Sequence, residues 1–187
     1  MAEADGAKSK KIGLSIQKKL FGKMAKKSVI KAVIEDDTFD LIDELGGLVA
    51  AEKGDKYSEK YVKDLLKIVV KIGILLKNGE FNDDEIRMTT KFRTKLRSLC
   101  MTFISFHQVA FSHDSAFLMS GVTESSKLVH ALVQRHLTDK SHKRVDNVFE
   151  FFTAEMFDRL FDPSGPHKER LDRMAPLVAK LVDEDKI

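Results

Sequence analysis

Tryptophan is absent from this 187-residue chain, cysteine occurs once and proline three times. A single Cys can close neither an internal disulfide nor a four-thiolate zinc site, which fits a reducing compartment. With 3 Pro and 10 Gly against 43% hydrophobic residues, collagen-like, mucin-like and fully disordered chains are excluded. Long apolar runs are missing as well. The most apolar stretch, Leu65–Leu76, contains Lys67 and Lys71 and falls short of the ~20 residues a membrane-spanning helix requires. The opening MAEADGAKSKK lacks a signal-peptide core, Ala2 is not the Gly that N-myristoylation needs, and VDEDKI holds no prenylation Cys. These absences lead to the expectation of a cytoplasmic chain with no transmembrane segment. The last deficit is local. Between Lys8 and Lys31 there are nine lysines and no acid, although the net charge is only +3.

The length suits one domain, and scaling suggests that roughly 70% of the unfolded surface is buried on folding. Residues 1–11 read as a flexible polar lead and 12–187 as a single helical domain. At about 100° per residue, Leu14, Leu20, Phe21, Met24 and Ala25 gather on one side of a helix and Lys18, Lys19, Lys23 and Lys26 on the other. This segment is basic and amphipathic. Asp37 or Thr38 can cap a second helix with Phe39, Leu41, Ile42, Leu45, Leu48 and Val49 on its apolar face, locally weakened by Gly46-Gly47. Ser58 is a candidate cap for a long helix ending at Leu76, with Lys77 and Gly79 at its close. Asn82 with Glu85 forms a capping-box pattern opening a helix from Asp83 to His107. Ser112 or Asp114 begins the next, to about Leu137; Thr138 or Ser141 caps one through Phe152; Thr153 restarts a short one through Phe161. Pro166 sits near the first turn of a final helix ending near Val182. Strand-like alternation is nowhere sustained, and the fold class is all-α with six or seven helices.

Two helices are chemically uneven. Lys60, Lys63, Lys67 and Lys71 form a narrow stripe, with Asp64 inside it, on an otherwise apolar helix, so that helix is packed over most of its circumference. In the next helix Arg87, Lys91 and Lys95 fall on a wet face, whereas the wheel places Arg93 beside Leu96, Cys100 and Ile104. A charge there needs a buried pair with an acidic residue, a stem that snorkels to solvent, or an anionic ligand at an internal pocket. Thirteen Phe fill a core or line an apolar cavity.

Signals for catalysis are weak. The six histidines include no HExxH, the pairs His107/His113 and His130/His136 are spaced six apart, and no phosphate-binding loop or GxSxG is present. Neither a metal site nor catalytic residues are expected. Cys100 lies in an apolar arc and reads as inert core. Nucleic-acid binding is disfavoured, because the lysines lack aromatic interleaving and any reader motif.

The segments KKLFGKMAKKSV (18–29), DDTFDLIDELGGLV (36–49), VKDLLKIVVKIGILLKNGEF (62–81), TTKFRTKLRSLCMTFISF (89–106) and HLTDKSHKRVDNVFEFF (136–152) closely resemble the tumour necrosis factor alpha-induced protein 8 family, also called the TIPE family. The ending PHKERLDRMAPLVAKLVDEDKI is similar to that of the family, and the likeness runs over 14–187. The resemblance implies an antiparallel bundle of six core helices plus a basic N-terminal helix, enclosing an apolar cavity for lipid tails. It implies phosphoinositide binding and transfer, reversible association with anionic membranes, and links to cell death and inflammation. Lys77 and Arg93 would then bind the headgroup, and Lys18, Lys19, Lys23, Lys26 and Lys27 would face the membrane. Leu65, Val69, Ile72, Leu76, Phe92, Leu96 and Phe103 are the cavity-lining candidates. No cofactor is implied beyond phospholipid as bound ligand. Some members carry Arg where this chain has Lys77, which keeps the charge without the bidentate fork. The alternative is a protein-interaction adaptor in apoptosis signalling, docking an acidic partner on the lysine helix without lipid transfer.

Overall fold

Local signals place most of the helix ends. Seven α-helices and no strand occupy the described residues, 36–109 and 113–187 of the computed structural model. They are α1 (Asp36–Lys53), α2 (Asp55–Lys77), α3 (Asp83–Gln108), α4 (Ser115–Val133), α5 (Asp139–Phe149), α6 (Ala154–Phe161) and α7 (Lys168–Asp183). The all-α expectation holds. The polar lead, the basic segment with Lys18, Lys19, Lys23, Lys26 and Lys27, and the alternative cap Ser112 lie outside the described residues. Two compact units divide after Asn78.

In the first unit α1 packs on α2. Ile42, Leu48 and Val49 of α1 are buried, as are Tyr61, Val62, Leu66, Ile68 and Val70 of α2. Gly46 does not break α1. A Cβ there would stand 2.9 Å from Val62 Cγ2, so the missing side chain lets the two helices approach. Ser58 is not the expected cap. α2 begins four residues earlier, after Gly54 at φ 85°, and Ser58 Oγ donates to the Gly46 carbonyl at 2.6 Å. A hydroxyl read as a local cap therefore serves the contact between helices. The lysine stripe is exposed at Lys60 and Lys63 and half-buried at Lys67 and Lys71, while Asp64 within it is buried.

In the second unit α3 packs against both α4 and α7, α4 contacts α5 and α6, and α6 contacts α7. The capping box at its start is complete: Glu85 N–H donates to Asn82 Oδ1 at 2.9 Å, and Asn82 N–H donates to Glu85 Oε2 at 2.8 Å. Asp114 caps α4 and Thr153 caps α6 through their side chains. α4 stops at Val133 and α5 at Phe149, each short of its periodic pattern, because turns at 134–136 and 150–151 redirect the chain. α7 begins after His167, with Pro166 just ahead of its first turn as expected. Phe106, Phe157, Leu160 and Phe161 form the ring-rich centre, with the Phe103 and Phe106 rings edge-on to Phe161 at 5.3 and 5.8 Å.

Polar ties join these helices at their margins. His107 meets Asp172 of α7 at 2.8 Å, His113 meets Asp158 of α6 at 2.9 Å, and His130 meets Asp146 of α5 at 2.8 Å. His136, after α4, reaches back to Glu85 at 3.1 Å. Glu85 is buried, and its carboxylate also accepts from Arg135 Nε at 3.2 Å and Nη2 at 2.8 Å. The hydrogen bond from Arg135 is the main reason its carboxyl falls to about 2; burial opposes the shift, and Asn82 and His136 reinforce it.

A carboxyl depressed in the folded state stabilises the fold above its ordinary value of 4.5, and that contribution disappears as pH falls through about 2. Glu85→Gln should lower stability at neutral pH and flatten the loss of stability between these limits, followed by circular dichroism during acid titration. Gly46→Ala should destabilise by about 1–3 kcal/mol through overpacking, exceeding the ~0.5–1 kcal/mol gained in helix propensity, because β-branched Val62 cannot swing aside. Thermal melts of the variant check the sign.

Candidate functional site

Of the residues singled out for binding, those within the described residues fall on α2 and α3, one helix in each unit. On α2, Leu65, Val69, Ile72 and Leu76 recur at four, three and four residues and so share one stripe. The first three are half-buried and Leu76 is 41% exposed, whereas Tyr61, Val62, Leu66, Ile68 and Val70 are buried. Lys77 is exposed in the last turn, next to the Asn78 C-cap and Gly79 at φ 66°.

α3 repeats the pattern. Phe92, Leu96, Leu99 and Phe103 follow the same spacing, and all four are half-buried, as are Cys100 and Ile104. Only Glu85 and Phe106 of this 26-residue helix are fully buried. A helix with so apolar an arc and so little complete burial leaves hydrophobic area partly in water, unfavourable by ~25 cal/mol per Å². Neither stripe belongs to the fully buried core.

Arg93 lies on the margin of this arc, and its stem carries the guanidinium to solvent. Its side chain is 52% exposed, and Nη2 donates to the Asp185 carbonyl at 2.6 Å and meets Asp185 Oδ2 at 3.1 Å. The snorkelling stem therefore applies, and the acidic partner it meets, Asp185, is exposed rather than part of a buried pair. Arg97, one turn later, was not singled out from the sequence. Its Nη1 donates to the carbonyls of Val182 at 3.0 Å and Ile187 at 2.9 Å and approaches Asp185 Oδ1 at 3.4 Å. The available signal was its i+4 spacing from Arg93, coupled with the acidic run VDEDKI; nothing local joins segments nearly ninety residues apart.

Cys100 is poorly suited to act as a nucleophile. Burial pushes the Cys100 thiol up to about 11, with Arg97 only partly offsetting it, so thiolate is scarce near neutrality. Among the described residues no group of His, Cys, Asp and Glu is arranged to hold a metal ion, and no helix is long and apolar enough to cross a membrane.

Comparison with known proteins gives a consistent pattern. The model of a family described as tumor necrosis factor alpha-induced protein 8-like matches residues 7–185. The chain is 40% identical over 181 residues to tumor necrosis factor alpha-induced protein 8 of Gallus gallus, covering 96% of each. It is 38% identical to the Homo sapiens protein of that name, covering 96% of this chain and 91% of the relative. Tumor necrosis factor, alpha-induced protein 8-like protein 2 B of Danio rerio is 38% identical over 177 residues, with 94% and 95% covered. Among solved structures, the C-terminal region of G-protein interacting protein 1 (Gip1) from Dictyostelium discoideum aligns with a TM-score of 0.66 at 13% identity. That alignment covers 82% of this chain and 95% of the other, and the likeness is one of fold.

Cys100 in the folded chain should react with iodoacetamide at pH 8 about a hundredfold more slowly than in the unfolded chain, as expected from a thiol pushed up from 9.0 to about 11. Equal rates in native buffer and in denaturant would contradict the buried placement.

Proposed function

Because the chain belongs to the tumor necrosis factor alpha-induced protein 8-like family, we propose that it is a cytoplasmic, non-enzymatic protein that binds phosphoinositides and transfers them between membranes. The family is non-catalytic and is known for association with lipids and phosphoinositides and for signalling in cell death and inflammation. One structural observation supports the reading most directly: the two apolar stripes on α2 and α3, of which no residue is fully buried. Acyl chains are the complement of such surfaces, worth ~0.8 kcal/mol per buried CH₂ as an upper guide.

The proposed sequence of events has three parts. Lys18, Lys19, Lys23, Lys26 and Lys27 meet an anionic leaflet, each contributing ~1 kcal/mol when close to the surface. Lys77 and Arg93 take the phosphorylated headgroup, Arg93 through its bidentate fork and Lys77 as a compact charge. The tails lie along apolar side chains, with Leu65, Val69, Ile72 and Leu76 of α2 and Phe92, Leu96 and Phe103 of α3 as the lining candidates. Several lysines at this strength give reversible docking rather than permanent insertion.

The double variant Lys77→Glu, Arg93→Glu should lose most phosphoinositide uptake from liposomes while keeping its circular dichroism spectrum. Unchanged uptake would remove the headgroup assignment. Loss of a protein partner on charge reversal of the N-terminal lysines, with no lipid taken up by the wild type, would instead establish the adaptor role.

A further inference from the structure

The end of α7 is built around an unusual residue choice. Lys186 N–H donates to the Leu181 carbonyl at 3.0 Å and Asp185 N–H to the Val182 carbonyl at 3.2 Å, the paired bonds of a Schellman closure. That closure puts Asp185 at φ 54°, the left-handed conformation glycine adopts most readily. The choice is unfavourable twice, since a carboxylate also lies at the negative end of the helix dipole.

Two arginines of α3 meet this carboxylate and the carbonyls around it. Arg93 grips the Asp185 carbonyl and Oδ2, while Arg97 spans the carbonyls of Val182 and Ile187 and approaches Asp185 Oδ1. Several oxygens thus converge on two guanidiniums one helical turn apart. A phosphomonoester offers the same chemistry, a multiply charged group whose oxygens accept forked N–H bonds. The grip is exposed: 52% for Arg93, 42% for Arg97 and 78% for Asp185. Ion pairs this open to water are screened and weak, so a dianion can replace a single carboxylate.

We propose that Arg93 and Arg97 together form a phosphomonoester site, and that the chain's own Asp185, with the Ile187 carbonyl beside it, occupies that site as a displaceable internal competitor. The inference rests on the phosphoinositide reading for Arg93 and deepens it, adding Arg97 as a second headgroup ligand and residues 184–187 as the regulating segment. A membrane lipid and a soluble inositol phosphate present the same group, and the test separates them.

The decisive variant is Asp185→Gly, which removes the carboxylate and suits the left-handed position, so the melting temperature should not fall. Calorimetry with soluble inositol trisphosphate should show about three- to tenfold tighter binding than wild type, the range expected from releasing a pair of exposed contacts. Arg97→Gln should weaken binding, and on an Arg93→Gln, Arg97→Gln background Asp185→Gly should bring no gain. Amide resonances of residues 184–187 should shift as the trisphosphate is added to the wild type. A second arm measures uptake from vesicles containing phosphatidylinositol bisphosphate, with phosphatidylserine vesicles as control. Normal uptake that responds to neither Asp185→Gly nor Arg97→Gln, with no change in trisphosphate binding, overturns the latch and leaves lipid transfer standing. A tightened trisphosphate site with no lipid uptake by either protein overturns lipid transfer and leaves a latched site for free phosphate.

Discussion

The Glu85 carboxylate is the constraint on which the second unit depends. It closes the capping box of α3 with Asn82, and the same two oxygens receive Arg135 and His136 from the turn that follows α4. A buried carboxylate without such donors would be strongly disfavoured, so the start of α3 and the end of α4 must meet. Phe81 packs its ring edge-on to His136 at 5.1 Å and shields this junction. Once α3 is anchored there, its length carries Arg93 and Arg97 to the end of α7 and His107 to Asp172.

The same economy recurs around the unit. His107, His113, His130 and His136 each meet a carboxylate on another element, so interhelical geometry is set by directional contacts at the margins as well as by Phe rings in the centre. Directional ties matter in a fold that leaves an apolar stripe half-exposed on α3, because hydrophobic packing alone would favour closing over it. An α-helical scaffold held at its edges can keep such a stripe available to a ligand. The matching pattern on α2, with one face buried and another stripe open, belongs to a helix whose opposite side already packs on α1 through the close approach at Gly46.

Much of this was legible from residue spacing. The capping box at Asn82 and Glu85, the cap at Thr153 and the period of α2 are local features, read within one or two turns. The failures have a common cause. Ser58 looked like a cap because a hydroxyl preceded a periodic run, yet its partner is the Gly46 carbonyl on another helix. α4 and α5 ended early where tertiary turns overrode the pattern. Arg93 sat among apolar neighbours on a helical wheel, but a wheel records direction at the helix axis and takes no account of a stem long enough to reach water. Arg97 went unremarked because its partners lie at the far end of the chain.

By itself, the sequence determined the helical class, most helix boundaries, the apolar stripes and the family, since caps and 3.6-residue periodicity operate over a few residues and need no distant partner. Tertiary structure alone decided which stripes escape full burial, which carboxylate each histidine meets, and that two arginines of α3 hold Asp185. These are contacts between residues 16 to 92 positions apart. Their energies depend on distance and desolvation, and neither quantity exists until the helices have packed.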